Sequence, residues 1–559
     1  MLKVINGWKN SPQLMFWKKY RVIEQMTKQF YERNNYVIDS HVNCLFEDLL
    51  EMTPDEFRNW VIEMRKEVKH SWDTYGCPPR TGKNEEDIID RFNKIAEYPV
   101  HKFEFTDELA DVGKDVIINK SRIGGEADQW YSNMMKVRIN YTDKDTGYSI
   151  YDLFADDTHL EKMVKGGMRH FRRDSLYEHA KSAFTHNKKY SIIDTGSPTE
   201  WMDVFHDSPH IFSGYDFMLE EVNIRDGMNS GYFQIEQDKI LNLTKDQVQE
   251  YKDKGRLEYR HHSTFDIDNM SDEKRYSIRV YKKGLKMFPK AFAAYRIGYI
   301  QPAVNFPPMT AKYLYERYTE DFKDQEVINI YDPSAGWGGR ILGAMGVRDD
   351  RRIHYVGTDP NPDNFIGDDG YSKYASLADF YNTKTYRGNP FFSETNTYEI
   401  FKEGSEVIHV HPDFKKYKGE LDFIFTSPPY FNREAYSEDP NQSYKKFGSS
   451  YDSWRHGFLA PTLETCAKYL RPGRYMAWNV ADLLVSGKYL PIEQDSIDIL
   501  KSCGMIYKYT LKMALEGMPG QNRLGEDGKP TCKNYCQVNG KYLKYEPVFI
   551  FWKPKNKGI

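Results

Sequence analysis

Short apolar runs of strand length, separated by stretches with helical spacing, alternate along this chain from about Ala291 onward. The runs fall at 327–331, 353–357, 407–411, 421–426, 475–480, 505–513 and 547–552, and the helical patterns lie near 339–346, 371–382, 455–470 and 493–502. Such alternation predicts a parallel sheet flanked by helices. No helical pattern separates the last two runs, so they are expected to form an antiparallel hairpin. The long connection between them, Glu516 to Tyr545, reads as an inserted loop.

Upstream the pattern differs. Residues 1–190 read as mainly helical: Thr53-Pro54-Asp55-Glu56 offers a cap, a first-position proline and acidic first-turn residues, and Asn84-Glu85-Glu86-Asp87 opens another helix. Between Asp156 and Lys189, Lys162, Lys165, Arg169, Arg172 and Arg173 recur at three- and four-residue spacing near one face, with Gly166-Gly167 expected to weaken or break the helix. That face reads either as a solvated basic surface or as a phosphate contact. Residues 191–290 form an α+β segment ending in basic residues interleaved with tyrosines, among them Lys282 and Lys283. It reads equally as an amphipathic strand or a nucleic-acid contact. The third region is 291–559.

At 559 residues two or three domains are expected. Lys+Arg 78 against Asp+Glu 82 gives a net charge of -4, so any nucleic-acid contact must come from local basic faces. Six scattered cysteines suit a reducing compartment, and no apolar run approaches the roughly 20 residues of a membrane span. A cytoplasmic protein without membrane contact is expected. Cys532 and Cys536 form one C-x-x-x-C pair with no second half, so no metal site is expected.

Three strand ends carry polar chemistry in chain order. Val327-Ile328-Asn329-Ile330-Tyr331 runs into Asp332-Pro333-Ser334-Ala335-Gly336-Trp337-Gly338-Gly339-Arg340, a glycine turn before a helix. Ile353-His354-Tyr355-Val356-Gly357 is followed by Thr358-Asp359, and Leu421-Asp422-Phe423-Ile424-Phe425 ends in Thr426-Ser427-Pro428-Pro429-Tyr430. A parallel α/β sheet with its site at the carboxyl edge requires this placement. The glycines let backbone approach a ligand closely, and a carboxylate can meet an ammonium group. Singly, each Asp reads as a cap or turn residue; the pair at consecutive strand ends favours cofactor binding. The glycine spacing is not G-x-G-x-x-G, which argues against a dinucleotide.

On these residues, the region from about Tyr299 to Lys553 resembles the catalytic domain of S-adenosylmethionine-dependent DNA amino-methyltransferases, which modify cytosine N4 or adenine N6. The resemblance implies a Rossmann-like α/β domain: a mostly parallel seven-stranded sheet with a terminal antiparallel hairpin. It implies S-adenosylmethionine as cofactor, with Asp332, Pro333, Gly336 and Gly338 at the cofactor turn and Asp359 on the ribose hydroxyls. Asp413, in Val410-His411-Pro412-Asp413-Phe414, would approach the cofactor's adenine amine, although proline stands where the family has glycine. Asn305 and Phe306, in Asn305-Phe306-Pro307-Pro308, would close over the methionine end; a helix start explains that string nearly as well.

Ser427, Pro428, Pro429 and Tyr430 match the family's catalytic tetrad. An exocyclic amine is a poor nucleophile because its lone pair is delocalised into the ring. Hydrogen bonds from both N–H groups to the Ser427 oxygen and the Pro428 carbonyl favour a pyramidal nitrogen, and Tyr430 stacks on the base, worth about 1–3 kcal/mol. Serine at the first position goes more often with cytosine N4, aspartate or asparagine with adenine N6. The expected partner is DNA, with the base flipped out or already single-stranded. RNA base methylation, or a nucleic-acid-binding protein with an inactive domain, are the alternatives. The large N-terminal extension looks like that of bacteriophage methyltransferase-like proteins.

Overall fold

In the computed structural model the described residues are 41–75, 85–104, 130–139, 147–171 and 303–555, less 323, 349–350, 367–370, 386–394, 433, 449, 486, 516–529, 531–532 and 539–540. Pieces at 21, 23–25, 28, 32, 117–118, 127, 190–192, 219–223, 277–282 and 287 complete them.

Two compact units emerge, one of residues 1–32, 83–149 and 303–559, the other of 33–82 and 150–302. The division departs from the boundaries read at 190 and 290, because 83–149 packs with the large sheet. Nine strands form that sheet: β1 (Ile117–Ile118), β2 (Val327–Asp332), β3 (Arg352–Thr358), β4 (Thr397–Phe401), β5 (Leu421–Thr426), β6 (Leu470–Asn479), β7 (Ile506–Leu515), β8 (Tyr535–Val538) and β9 (Lys541–Trp552). Their order is β1-β7-β9-β6-β5-β2-β3-β4, with β8 added beside β9. The β4-β3-β2-β5-β6 pairs are parallel, while β9 runs antiparallel to both β6 and β7. The expected Rossmann-like sheet with its terminal hairpin is therefore present, with nine strands among the described residues in place of seven: β1 comes from the N-terminal region and β8 from the connection read as an inserted loop. Order reverses at β2, whose neighbours β3 and β5 lead in opposite directions; ligands of such sheets bind outside the carboxyl ends at that point.

β5 is buried along its whole length, as a central parallel strand covered on both faces must be. Alternate residues face two helical layers. Phe423 and Phe425 meet Tyr315 of α2 (Pro308–Arg317), in a layer that also holds α1 (Glu85–Glu97), α3 (Gly339–Met345) and α4 (Lys373–Thr385). Ile424 joins the opposite core with residues of α5 (Ala460–Tyr469) and α6 (Ile492–Ser502). Thus α1, from the N-terminal region, is part of the sheet's own packing.

One expected strand is corrected. Residues 407–411 hold a 3-10 turn, Ile408–Val410, and the edge strand is β4 instead. Apolar type misled: Ile408 is fully buried, but Val410 is 62% exposed, so the run does not present a strand face.

In the second unit the helix Pro54–Tyr75 begins with the expected cap: Thr53 Oγ1 accepts from Glu56 N–H at 3.3 Å, and Glu56 Oε2 accepts from Thr53 N–H at 2.7 Å. Arg65, buried in that helix, donates to Asp157 Oδ1 at 3.0 Å and to the Asp156 carbonyl at 2.6 Å. Leu160–Phe171 continues through Gly166-Gly167, against expectation, because burial of Met163, Val164 and Gly167 offsets the glycine penalty of about 1 kcal/mol each. Strands Tyr190–Ile192, Leu219–Asn223 and Ser277–Lys282 form a separate antiparallel sheet.

Candidate active site

The glycine turn after β2 needs its glycines. Gly336 has φ +63° and Gly338 φ +76°, a region that side chains disfavour. A Cβ on Gly338 would stand 2.5 Å from the Tyr131 ring, and one on Gly339 2.1 Å from the Phe306 carbonyl. Asn305 fastens the turn from the other side, donating to the Trp337 carbonyl at 2.6 Å and accepting from Gly339 N–H at 3.2 Å. The Asn305-Phe306 element thus lies on the start of α3.

Asp332 is fully buried at the end of β2. Its Oδ1 accepts from Thr426 Oγ1 at 2.7 Å and Ser334 N–H at 3.2 Å; its Oδ2 accepts from Arg340 Nε at 2.7 Å and the Tyr355 hydroxyl at 2.6 Å. A carboxylate has about four lone-pair sites, so these contacts occupy it. The geometry gives Asp332 the task of joining β2, β3, β5 and α3, with no site left for an ammonium ion. Arg340 also donates to the Ser334 carbonyl, and the Asp332 charge holds its guanidinium above the ordinary arginine range despite burial, the largest influence, acting the other way.

At the end of β3, Asp359 receives three hydrogen bonds: Asn361 N–H to Oδ1 at 2.9 Å, and Asn364 Nδ2 and the Tyr374 hydroxyl to Oδ2, both at 2.6 Å. Burial raises its carboxyl above the ordinary range even so. Tyr374 also lies 2.5 Å from the Gly336 carbonyl, linking this acid to the glycine turn. Behind Asn364 stands Asn133, whose Nδ2 donates to Asn364 Oδ1 at 2.8 Å and whose Oδ1 accepts from Lys373 Nζ at 2.8 Å. Burial pushes that ammonium down to about 8.

Ser427 follows Thr426 directly, so the Thr426–Asp332 bond sets Ser427-Pro428-Pro429-Tyr430 beside the glycine turn. Tyr430 packs against the core cluster that holds Phe431 and Trp454, and burial pushes its hydroxyl above the ordinary range. Phe431 has φ +38° and is the sole non-glycine residue with positive φ among those described. Such backbone is unfavourable for a bulky residue and tends to persist at functional sites where packing enforces it. Here the ring is buried between Tyr451 and Trp454, centroids 5.9 and 5.8 Å away, which turns the chain sharply after Tyr430.

The structure therefore brings together Asn305, Phe306, Asp332, Pro333, Gly336, Gly338, Asp359 and Ser427 through Tyr430. Asp413 is exposed in a 3-10 turn, Asp413–Tyr417, two residues beyond His411, whose ring meets Phe401 at 5.0 Å between centroids; the Phe401 carbonyl accepts from Asp359 N–H at 3.0 Å. Lys162 and Lys165 are exposed on Leu160–Phe171, which also contains Arg169, and Lys282 closes a strand. Arg172, Arg173 and Lys283 lie outside the described residues. Sequence reading missed Arg340, Tyr355, Tyr374, Tyr131 and Asn133. For Arg340 the signal was local, eight residues beyond Asp332 on the helix after the turn; for Tyr131 and Asn133 none existed.

No family model matches the chain. Over 138 residues it is 28% identical to the Type II beta methyltransferase M.BslI of Bacillus sp. (strain NEB-606), a match spanning 23% of this chain and 14% of that relative's length. Among solved structures, an S-adenosylmethionine-dependent methyltransferase of Methanosarcina mazei is similar at 12% identity, TM-score 0.24, over 44% of this chain and 98% of that one. A candidate DNA modification methylase of Thermus thermophilus, complexed with S-adenosyl-L-methionine, is similar at 17% identity, TM-score 0.18, over 28% and 54%.

Proposed function

We propose that the chain is an S-adenosylmethionine-dependent methyltransferase acting on an exocyclic amine of a DNA base, cytosine N4 before adenine N6. The observation that supports this reading is the 2.7 Å bond from Thr426 to Asp332, which joins the two neighbouring strand ends that lead into Ser427-Pro428-Pro429-Tyr430 and into the glycine turn. The residues present fit the cofactor. Gly336 and Gly338 offer backbone without side chains, and Asp359 keeps one of about four acceptor sites open at the strand end.

When bound, S-adenosylmethionine supplies an electrophilic methyl group on a sulfonium. Asp359 would hold its ribose, and the turn from Pro333 to Gly338 would cover its methionyl end. Ser427 Oγ and the Pro428 carbonyl accept hydrogen bonds from the two amine N–H groups, and Tyr430 stacks against the base. In this arrangement catalysis rests on positioning, with no strong base required. Serine at position 427 is the reason to favour cytosine N4. A bacteriophage-type enzyme of the host cytoplasm is the setting this reading suggests, and Lys162, Lys165, Arg169, Lys282 and neighbouring cations are its proposed phosphate contacts.

The test is incubation with S-adenosylmethionine and unmodified DNA or RNA, digestion to nucleosides, and mass spectrometry. N4-methylcytosine from DNA supports the full reading; N6-methyladenine keeps the mechanism and changes the base. Methylated RNA alone would replace the substrate, and no binding of S-adenosylmethionine would end the proposal.

A further inference from the structure

We infer that Tyr131, contributed by the N-terminal segment, is a cofactor-binding residue whose hydroxyl takes the second ribose hydroxyl of the adenosyl group. This deepens the methyltransferase reading above and rests on it.

The ribose of an adenosyl ligand presents two neighbouring hydroxyls. Asp359 has three of its about four acceptor sites filled by Asn361, Asn364 and Tyr374, which leaves room for one of them. A second partner must come from whatever faces the same place. Tyr131 is fully buried, and its hydroxyl has no hydrogen-bond partner among the described residues. A buried unpaired hydroxyl is unfavourable by roughly 1–3 kcal/mol, so its persistence calls for a partner that arrives later.

Its position suits that partner. The ring lies on the glycine turn, with its Cε2 where a Cβ of Gly338 would come within 2.5 Å. Trp337 meets it edge-on at 6.0 Å between centroids and Tyr374 at 5.4 Å, while Asp359 acts electrostatically on its hydroxyl. Tyr131 is thus bounded by the turn on one side and the ribose acid on the other.

The same short segment is built into the site at two further points. Asn133 fixes Asn364, which in turn holds Asp359, and Arg138–Ile139 pairs antiparallel with Glu434–Ala435, just beyond Tyr430 and Phe431. One stretch of about ten residues therefore touches the ribose acid, the glycine turn and the chain leaving the amine motif. In that respect residues 130–139 belong to the catalytic unit's site and not to an appended module.

The experiment measures binding of S-adenosylhomocysteine, and of its 2′,3′-dideoxyribose analogue, to the full chain and to Tyr131→Phe by titration calorimetry. Phenylalanine fills the same space and removes an unpaired hydroxyl, so folding is checked by a melting temperature no lower than that of the wild type. Expected is a three- to tenfold loss of S-adenosylhomocysteine affinity in Tyr131→Phe, the range of one hydrogen bond, with wild type and variant binding the dideoxy analogue equally. Equal affinity of both proteins for S-adenosylhomocysteine overturns the inference, as does the same loss for both ligands, which would make Tyr131 a wall of the pocket. Failure of the wild type to bind S-adenosylhomocysteine is distinguishable from either, and removes the cofactor reading itself together with this step.

Discussion

Two fully buried carboxylates, Asp332 and Asp422, tie the same pair of strands together at opposite ends. Asp422, near the start of β5, receives Asn329 N–H at 2.9 Å, Gln325 Nε2 at 2.6 Å, Arg471 Nη1 at 3.1 Å and Arg474 Nε at 3.3 Å. Asp332, at the end of β2, receives Thr426, Ser334, Arg340 and Tyr355. Each has four donors, one of them an arginine at Asp332 and two at Asp422, so neither buried charge nor hydrogen-bond count separates a site from a brace. What separates them is what the chain does next. Beyond Asp332 and Thr426 come two glycines at positive φ, Asp359 with an open acceptor site, and the strained Phe431; the Asp422 partners are strand starts and a loop glutamine. Strand polarity places the candidate site at the carboxyl ends.

The largest effect should come from breaking these two ties. Asp332→Ala strands the buried Arg340 and is expected to destabilise by about 3–5 kcal/mol, with cofactor binding and methyl transfer lost together. Asp422→Ala leaves arginines that are partly exposed, 32% for Arg471 and 17% for Arg474, so a smaller loss of about 1–3 kcal/mol is expected, with activity intact below the melting range. Denaturant melts beside methyl-transfer rates measure both; equal activity losses would erase the contrast.

Next comes Ser427→Ala, which touches only the functional end. Removing one preorganised hydrogen-bond partner of the reacting amine should lower kcat by about 10²–10³, while S-adenosylhomocysteine affinity and melting temperature stay as in the wild type. Parallel loss of cofactor affinity would make Ser427 a brace like Asp422.

How far this contrast could be read from sequence depends on separation along the chain. Asp332, Asp359 and Ser427 were legible because each follows its own apolar strand, and β2, β3 and β5 formed where those runs lie. The edge strand was misread because Val407-Ile408-His409-Val410 looks more strand-like than Thr397-Tyr398-Glu399-Ile400, whose pairing with β3 decides the matter. Asn133 meets Asn364 across 231 positions, and no local pattern announces such a pair. Asp332 was read as a ligand residue from its motif; only the four donors around it reveal a tie.

A smaller effect, with opposite signs on stability and binding, is expected at Asp359. Burial raises its carboxyl above the ordinary range, so above that raised value the folded state carries an ionised group that the unfolded chain solvates better. Asp359→Asn removes the charge: the melting temperature at pH 7 should rise slightly while cofactor affinity falls. The stability gain should vanish as pH drops below the ordinary aspartate range, where both states are neutral. A melting temperature that falls at pH 7 would place Asp359 with the braces.

Alkali should act on the carboxyl end of the sheet through Lys373. At the functional end, burial pushes Lys373 down to about 8, below its ordinary 10.5. Between those values the unfolded chain binds the proton that the folded one has released, so this group's contribution to stability rises with pH across that window; below 8 both states are charged and the burial penalty is fully present. Neutral Lys373 can still donate to Asn133, 2.8 Å away, so the link toward Asn364 and Asp359 survives the titration. Lys373→Met should therefore flatten the difference in stability between pH 8 and 10.5 relative to wild type, measured by denaturant melts at fixed ionic strength. Parallel pH curves for wild type and variant would show that Lys373 titrates as an exposed lysine does, and that its burial beside Asn133 sets no pH dependence.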